Sequence, residues 1–346
     1  MHRLAVAIGA TLALCVTASA QAPMSFEGKT VTMIIGPPPG GGTDIAGRMI
    51  AASLAKHLPG SPSIIVENRP GADGMVAMNY FATQVKPDGM TVIMATSTQG
   101  DPLVYRTPQS RYDATRLAIV GGVGRGGSTV VIRKDAEDRL TDKSKPPVIM
   151  GAVGGVPRSG MQTTAWGIDL LGWNAKWVVG YPGTNDLFVA LERGEIDMTA
   201  SSNLFQVAKL LQGGTIRVLT QTGTLADGKV LPRSEFGDVP VFPNQVKGKA
   251  ANALQEKGFG YWYSLVMLDK WLALPTGTPE PVLKAYRDAF ARMMKDPDFI
   301  EKGKKMSEDF EPQSGADVET LLKTLGDTTP DALDYIKKML KSQGIG

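Results

Sequence analysis

Val31-Thr-Met-Ile-Ile-Gly-Pro-Pro-Pro-Gly-Gly-Gly-Thr-Asp-Ile45 is the stretch on which the reading of this chain turns. Val31 to Ile35 is a short apolar run rich in β-branched residues, so it predicts a buried strand. Three prolines and three glycines then stop the strand and turn the chain. Thr43 or Asp44 suits the cap of a following helix, Ile45 to His57. Strand, glycine-rich turn and capped helix form one unit whose loop presents backbone N–H groups and a helix N-terminus. Such a corner attracts anions, since unpaired amides and the helix dipole both favour negative charge. It lacks the lysine and spacing of a phosphate-binding P-loop and the usual dinucleotide spacing. By itself it reads equally well as an anion site or a plain connector.

The pattern repeats outward from there. Ser63 to Glu67 and Thr91 to Ala95 predict two more strands, with a helix over Met75 to Gln84 between them. Three strands and two helices in this order predict a βαβαβ unit with a parallel sheet. Ligands of such sheets sit beyond the carboxyl ends of the strands, where Gly36 to Asp44 and Thr96 to Gly100 fall. A second α/β unit follows. Leu117–Val123, Ser128–Arg133, Pro147–Met150, Ala175–Gly180, Glu195–Thr199 and Thr215–Thr220 are its strand candidates. Met161 to Leu171 and Leu187 to Arg193 are its helices, and Gly151 to Gly160 is another glycine-rich turn. Residues 238–260 read as irregular, and Tyr261 to Leu268 as an apolar strand. Glu280 to Lys295, Asp317 to Leu325 and Pro330 to Lys341 carry helical spacing.

The chain has 346 residues, enough for two domains with separate cores. With 42% hydrophobic and 21% charged residues and a net charge of +3, it describes a globular protein with no basic block for nucleic acid. Arg3, the apolar run Leu4 to Val16 and Ala18-Ser-Ala20 predict a secretory signal peptide over residues 1–20, cleaved after Ala20. Cleavage removes Cys15, the only cysteine, and leaves His57 as the only histidine. That excludes a thiolate metal site and leaves zinc without its usual ligands; no metal and no cofactor are expected. Glu195 and Asp197, two apart on an expected strand, share a face without further signs of catalysis. Trp166, Trp173 and Trp177 read as core, and Tyr181 as a loop-tip residue. Few proton-transfer groups and many loop-tip donors point to a binder and not an enzyme.

Further motifs carry a resemblance. The opening stretch, Val66-Glu-Asn-Arg-Pro-Gly-Ala72 and Lys86-Pro-Asp-Gly89 resemble successive signatures of the Bug-type solute-binding proteins of tripartite tricarboxylate transporters. Tyr181-Pro-Gly183, Ala190-Leu191, Gly194 and Ile196-Asp197 continue the likeness. Phe236-Gly-Asp-Val-Pro240, Trp262-Tyr263 and Pro275-Thr-Gly-Thr-Pro279 complete it in order, over nearly the whole mature chain. The resemblance implies a two-lobed, hinged α/β fold of the type II periplasmic-binding-protein kind, with a ligand cleft between lobes. It implies a monomer in the periplasm that takes a small organic carboxylate and delivers it to membrane permease subunits. Lobe 1 is expected over 24–120 plus 250–346, and lobe 2 over 121–249.

Carried over residue by residue, the resemblance puts Pro39, Gly40, Gly41, Thr43 and Asp44 on one lip, flanked by Thr96 and Ser97. Gly155, Ser159, Tyr181, Gly183 and Thr184 face them. Pro182 departs from the family's lysine and removes an N–H. Arg158 stands where small hydroxylated residues are usual, and suits a second carboxylate on a dicarboxylate or an aromatic acid with a distal acceptor. Residues 238–260 exceed the family's connection. Two other functions fit an exported α/β chain. One is a hydrolase or lyase with Ser97 or Ser159 as nucleophile; the other is a ligand-sensing partner of a membrane kinase.

Overall fold

The structure, a computed structural model, describes residues 24–37, 39–40, 42–125, 127–153, 159–181, 184–201, 204–226, 228–306 and 310–345. The expected signal peptide with Cys15 lies outside these residues.

β1 (Thr30–Ile35) leads into α1 (Gly42–His57), β2 (Ser63–Asn68), α2 (Met75–Gln84) and β3 (Thr91–Thr96). β1 pairs in parallel with both β2 and β3, so the βαβαβ unit is as read. Val31, Met33, Ile34 and Ile35 are buried because β1 sits between two neighbours with packing on both faces. α1 lies close on the sheet at Gly47, where a Cβ would stand 2.2 Å from Ile35 Cδ1. The expected cap at Thr43 or Asp44 falls inside the helix, which already runs from Gly42. After β3 the expected turn is two short helices, α3 (Ser97–Gly100) and α4 (Pro102–Tyr105), and then β4 (Ala118–Arg125). Gln99 closes α3 as a capping box, its Oε1 accepting from the Thr96 N–H and hydroxyl, both at 2.8 Å.

A second sheet starts three residues after β4. It uses β5 (Thr129–Arg133), β6 (Val148–Val153), α5 (Gln162–Leu171), β7 (Ala175–Tyr181), α6 (Thr184–Arg193), β8 (Met198–Ser201), α7 (Leu204–Gln212) and β9 (Ile216–Gln221). Its order is β7-β6-β8-β5-β9. The strand expected over Glu195 to Thr199 begins only at Met198. Asp197 is taken up beforehand: its carboxylate accepts from the Ile149 N–H at 2.9 Å and pairs with Arg139 at 2.7 Å. Glu195 and Asp197 therefore form no paired carboxylates on a strand.

Next come a small hairpin, β10 (Thr224–Ala226) and β11 (Lys229–Leu231), then α8 (Phe242–Val246) and α9 (Ala253–Met267). Here the structure corrects the sequence reading. Residues 238–260 are largely helical, and Tyr261 to Leu268 is the last half of α9 with its cap residue, not a strand. The Asn252 side chain accepts from the Gln255 N–H at 3.0 Å and starts the helix. The apolar run then falls on a helix surrounded by packing. Trp262 and Phe259 join Trp166, Tyr335, Phe242 and Tyr263 in an aromatic cluster with centroids 5.4–6.4 Å apart.

The chain then returns to the first sheet with β12 (Lys270–Leu274), α10 (Glu280–Met293), α11 (Pro297–Met306), β13 (Phe310–Ser314), α12 (Gly315–Gly326) and α13 (Pro330–Ser342). The sheet order is β13-β4-β12-β3-β1-β2, with β12 antiparallel to β3 and β4. One buried cluster fills the α1 and α10 side of this sheet. A larger one is continuous from Ile34, Phe81 and Ile93 through Trp262 and Trp166 to Val130, Met150 and Met198 of the second sheet. Trp166 and Trp173 are core, as read; Trp177 is half-buried, its indole N–H donating to Gln343 at 3.2 Å. Among the described residues no helix is long and apolar enough to cross a membrane.

Candidate functional site

The parallel pairing of β1 with β3 brings their carboxyl-end corners to one edge of the first sheet. At the first corner Pro39 and Gly40 are exposed, and Gly40 has φ +86°, a left-handed conformation that suits glycine. Thr43 is half-buried. Asp44 is buried and turned inward. Its carboxylate accepts from the Gly40 N–H at 2.9 Å, from Arg48 at 3.0 Å and from Asn68 Nδ2 at 2.9 Å. These donors, with the Arg48 hydrogen bond foremost, hold its pKa down at about 2. Asp44 thus holds the loop in shape, and the exposed turn at Pro39 and Gly40 is left facing outward. Gly41 lies outside the described residues.

Asn68 completes this corner, although the sequence reading did not single it out as a site residue. It ends β2 beside β1, and its Nδ2 also donates to the Pro37 carbonyl at 2.9 Å. At the neighbouring corner Thr96 is engaged by Gln99 and Trp271, while Ser97 and Thr98 open α3.

The second sheet makes an equivalent pair of corners. β6 and β7 run parallel and end together at Val153 and Tyr181. Ser159 and the start of α5 follow the first of these, and Thr184 opens α6 after the second. Tyr181 is the last residue of its strand, half-buried and packed on the apolar cluster under α6. Gly155, Arg158 and Gly183 lie outside the described residues.

Between the two sheets lies a cavity of about 360 Å³, and of the expected ligand residues Ser97 lines it, while Pro39, Gly40, Thr43, Asp44, Thr96, Tyr181 and Thr184 do not. Ser97 and Thr98 line it from the first sheet and Gln162, the first residue of α5, from the second. Asp101 and Tyr261 line it as well. The Tyr261 hydroxyl donates to the Asp101 carboxylate, lying 3.0 and 3.1 Å from its two oxygens, and the Leu103 N–H adds a bond at 2.8 Å. Burial raises the Asp101 pKa in spite of these donors. Gln162, Asp101 and Tyr261 were not read as site residues. Tyr261 falls in the stretch read as a strand, and Asp101 carries no local signal that marks it.

His57 lies at the far end of α1, its Nε2 3.1 Å from Asp296. Sixteen residues of helix, about 24 Å, separate it from the corner where α1 begins. No group of three or more His, Cys, Asp or Glu suited to a metal ion occurs among the described residues.

A family model described as tripartite tricarboxylate transporter family receptor matches residues 46–338. The chain belongs to this family. A UPF0065 protein of Bordetella pertussis is 26% identical over 303 residues, 84% of either chain. Protein BugT of the same organism is 36% identical over 101 residues, 28% of this chain and 29% of BugT. Among solved structures, a TctC solute binding protein from Polaromonas matches with a TM-score of 0.67 at 18% identity, covering 92% of this chain and 100% of that one. This tripartite tricarboxylate transporter receptor therefore has the two-lobed fold of periplasmic solute-binding proteins. The first corner's loop lies just ahead of the family match, and the second sheet's corners and α9 lie within it.

Proposed function

We infer that this receptor captures a small carboxylate between two lobes in the periplasm and passes it to the permease subunits of a tripartite tricarboxylate-type transporter. The first lobe runs to the end of β4 at Arg125, a few residues past the expected boundary at 120, and the lobes close about the two chain crossings. The observation that carries this reading is the shared cavity: Ser97, which follows β3 of the first sheet, and Gln162, which opens α5 beside the second, line one space. Helix starts and loop amides at the strand-end corners supply donors for a carboxylate. Pro39, Gly40, Gly41, Thr43 and Ser97 form one side; Gly155, Arg158, Ser159, Tyr181, Gly183 and Thr184 form the other. Asp44 shapes the first side from beneath.

Catalysis by a serine and histidine pair has no support in the arrangement. Ser97 stands at the carboxyl edge of β3, and His57 ends the helix that leads away from that edge.

Thermal unfolding with a panel of mono-, di- and aromatic carboxylates tests the reading. A solute at one hundred times its Kd adds about 2.7 kcal/mol to stability, so at least one acid raises the melting temperature by several degrees and is recovered unchanged. No shift with any acid removes the carboxylate reading, and conversion of a bound acid removes the receptor reading.

A further inference from the structure

The lining of this cavity is of two kinds, polar and apolar. Its polar end is Ser97, Thr98 and Gln162. Its other end is hydrocarbon: Trp262, Leu265 and Val266 from α9, Leu333 and Ile336 from α13, and Leu103 from α4. Two charged groups line the cavity and both are engaged: Tyr261 reaches both oxygens of Asp101 and the Leu103 N–H bonds one of them, and Lys337, exposed beside Ile336, donates to Asp334 at 3.2 Å. A ligand part resting there meets mostly carbon, with a satisfied carboxylate and an ammonium already paired at the surface. It gains from burying apolar surface and little from carrying further hydrogen-bonding groups.

The apolar end is also built in advance. α9 is capped by Asn252, packed through Trp262 on Trp166, and tied by Gln255, whose Nε2 donates to Asp169 at 2.6 Å. Tyr335 of α13 donates to the same Asp169 oxygen at 2.6 Å. α9 and α13 are therefore both anchored to α5, the helix whose first residue lines the polar end. At about 360 Å³ the space is more than twice the roughly 150 Å³ cavity that accommodates a benzene ring.

We propose that the solute is a carboxylic acid with an apolar body, an aryl group or an alkyl chain of about six carbons or more, whose hydrocarbon part lies against α9 in this chamber. Short hydroxylated di- and tricarboxylates are then poor solutes. The proposal rests on the carboxylate-receptor reading, and adds the class of acid to it.

The test is calorimetric titration with malate, butyrate, hexanoate, octanoate and 3-phenylpropionate against the wild-type chain and two variants. Each methylene that enters the chamber tightens binding up to about fourfold, so hexanoate binds about tenfold tighter than butyrate, and phenylpropionate also outbinds malate. Leu265→Trp fills the chamber from a half-buried position, and Val266→Asp places a charge in it. Each variant abolishes the gain with chain length while a single cooperative melting transition shows that it folds; either one, if only one folds, decides the matter. Acids that bind without a chain-length gain, or a gain untouched by a folded variant, overturn the chamber and leave the receptor reading intact. Failure of every acid to bind wild type overturns both.

Discussion

Asp44 shows how a buried charge holds an exposed loop. Its carboxylate gathers Gly40, Arg48 and Asn68, and Asn68 reaches on to the Pro37 carbonyl. The folded pKa of about 2 lies below the usual aspartate value of about 3.9. A depressed carboxylate pKa adds stability above the unfolded value, and that stability is lost as pH falls through the folded value. The contribution is therefore complete near pH 5 and disappears between about pH 4 and pH 2. Asp44→Asn is expected to cost about 1–2 kcal/mol at pH 7, discounted because Arg48 is half exposed. Urea unfolding of both proteins from pH 7 to pH 2 checks it: a gap that persists unchanged at pH 2 contradicts the charge-based account. This residue also marks a limit of sequence reading. Its place at the strand-to-helix corner was legible, but its inward direction was not, because that depends on Asn68, twenty-four residues away.

Among the elements, α9 carries most of what the sequence concealed. β1, α1, β2, α2 and β3 were legible because each is local: apolar runs of strand length, broken by glycine and proline, with helical periods between. Tyr261 to Leu268 satisfies the same strand criteria and is helical, since a helix packed on several sides loses its polar stripe and with it the period that identifies it. The decisive signal was Asn252, nine residues upstream and separated by Gly258 and Gly260. Gly258 is needed for contact, as a Cβ there would lie 3.2 Å from Trp166 and 3.3 Å from Ile336. The site suffered accordingly: its glycine-rich corners could be read, whereas Asp101, Gln162 and Tyr261 meet only through tertiary packing. Trp166→Ala is expected to destabilise the protein by about 3–5 kcal/mol, measured by urea unfolding. A loss under about 1 kcal/mol contradicts the role given to the aromatic cluster.

At the level of the whole molecule, two sheets share one continuous buried cluster. The chain passes between them after β4 and again between β9 and β12. Calorimetry is therefore expected to show a single unfolding transition, raised but not split by solute; two separate transitions contradict the shared core. The placement of α9 has a final consequence, for how such a receptor diversifies. Trp262 belongs to the chamber and the aromatic cluster together, so altering it trades solute range against folding. Leu265 and Val266, half-buried at the chamber wall, touch the core only from its edge. New solute preferences are thus expected to come through these two positions at less cost to folding than through Trp262.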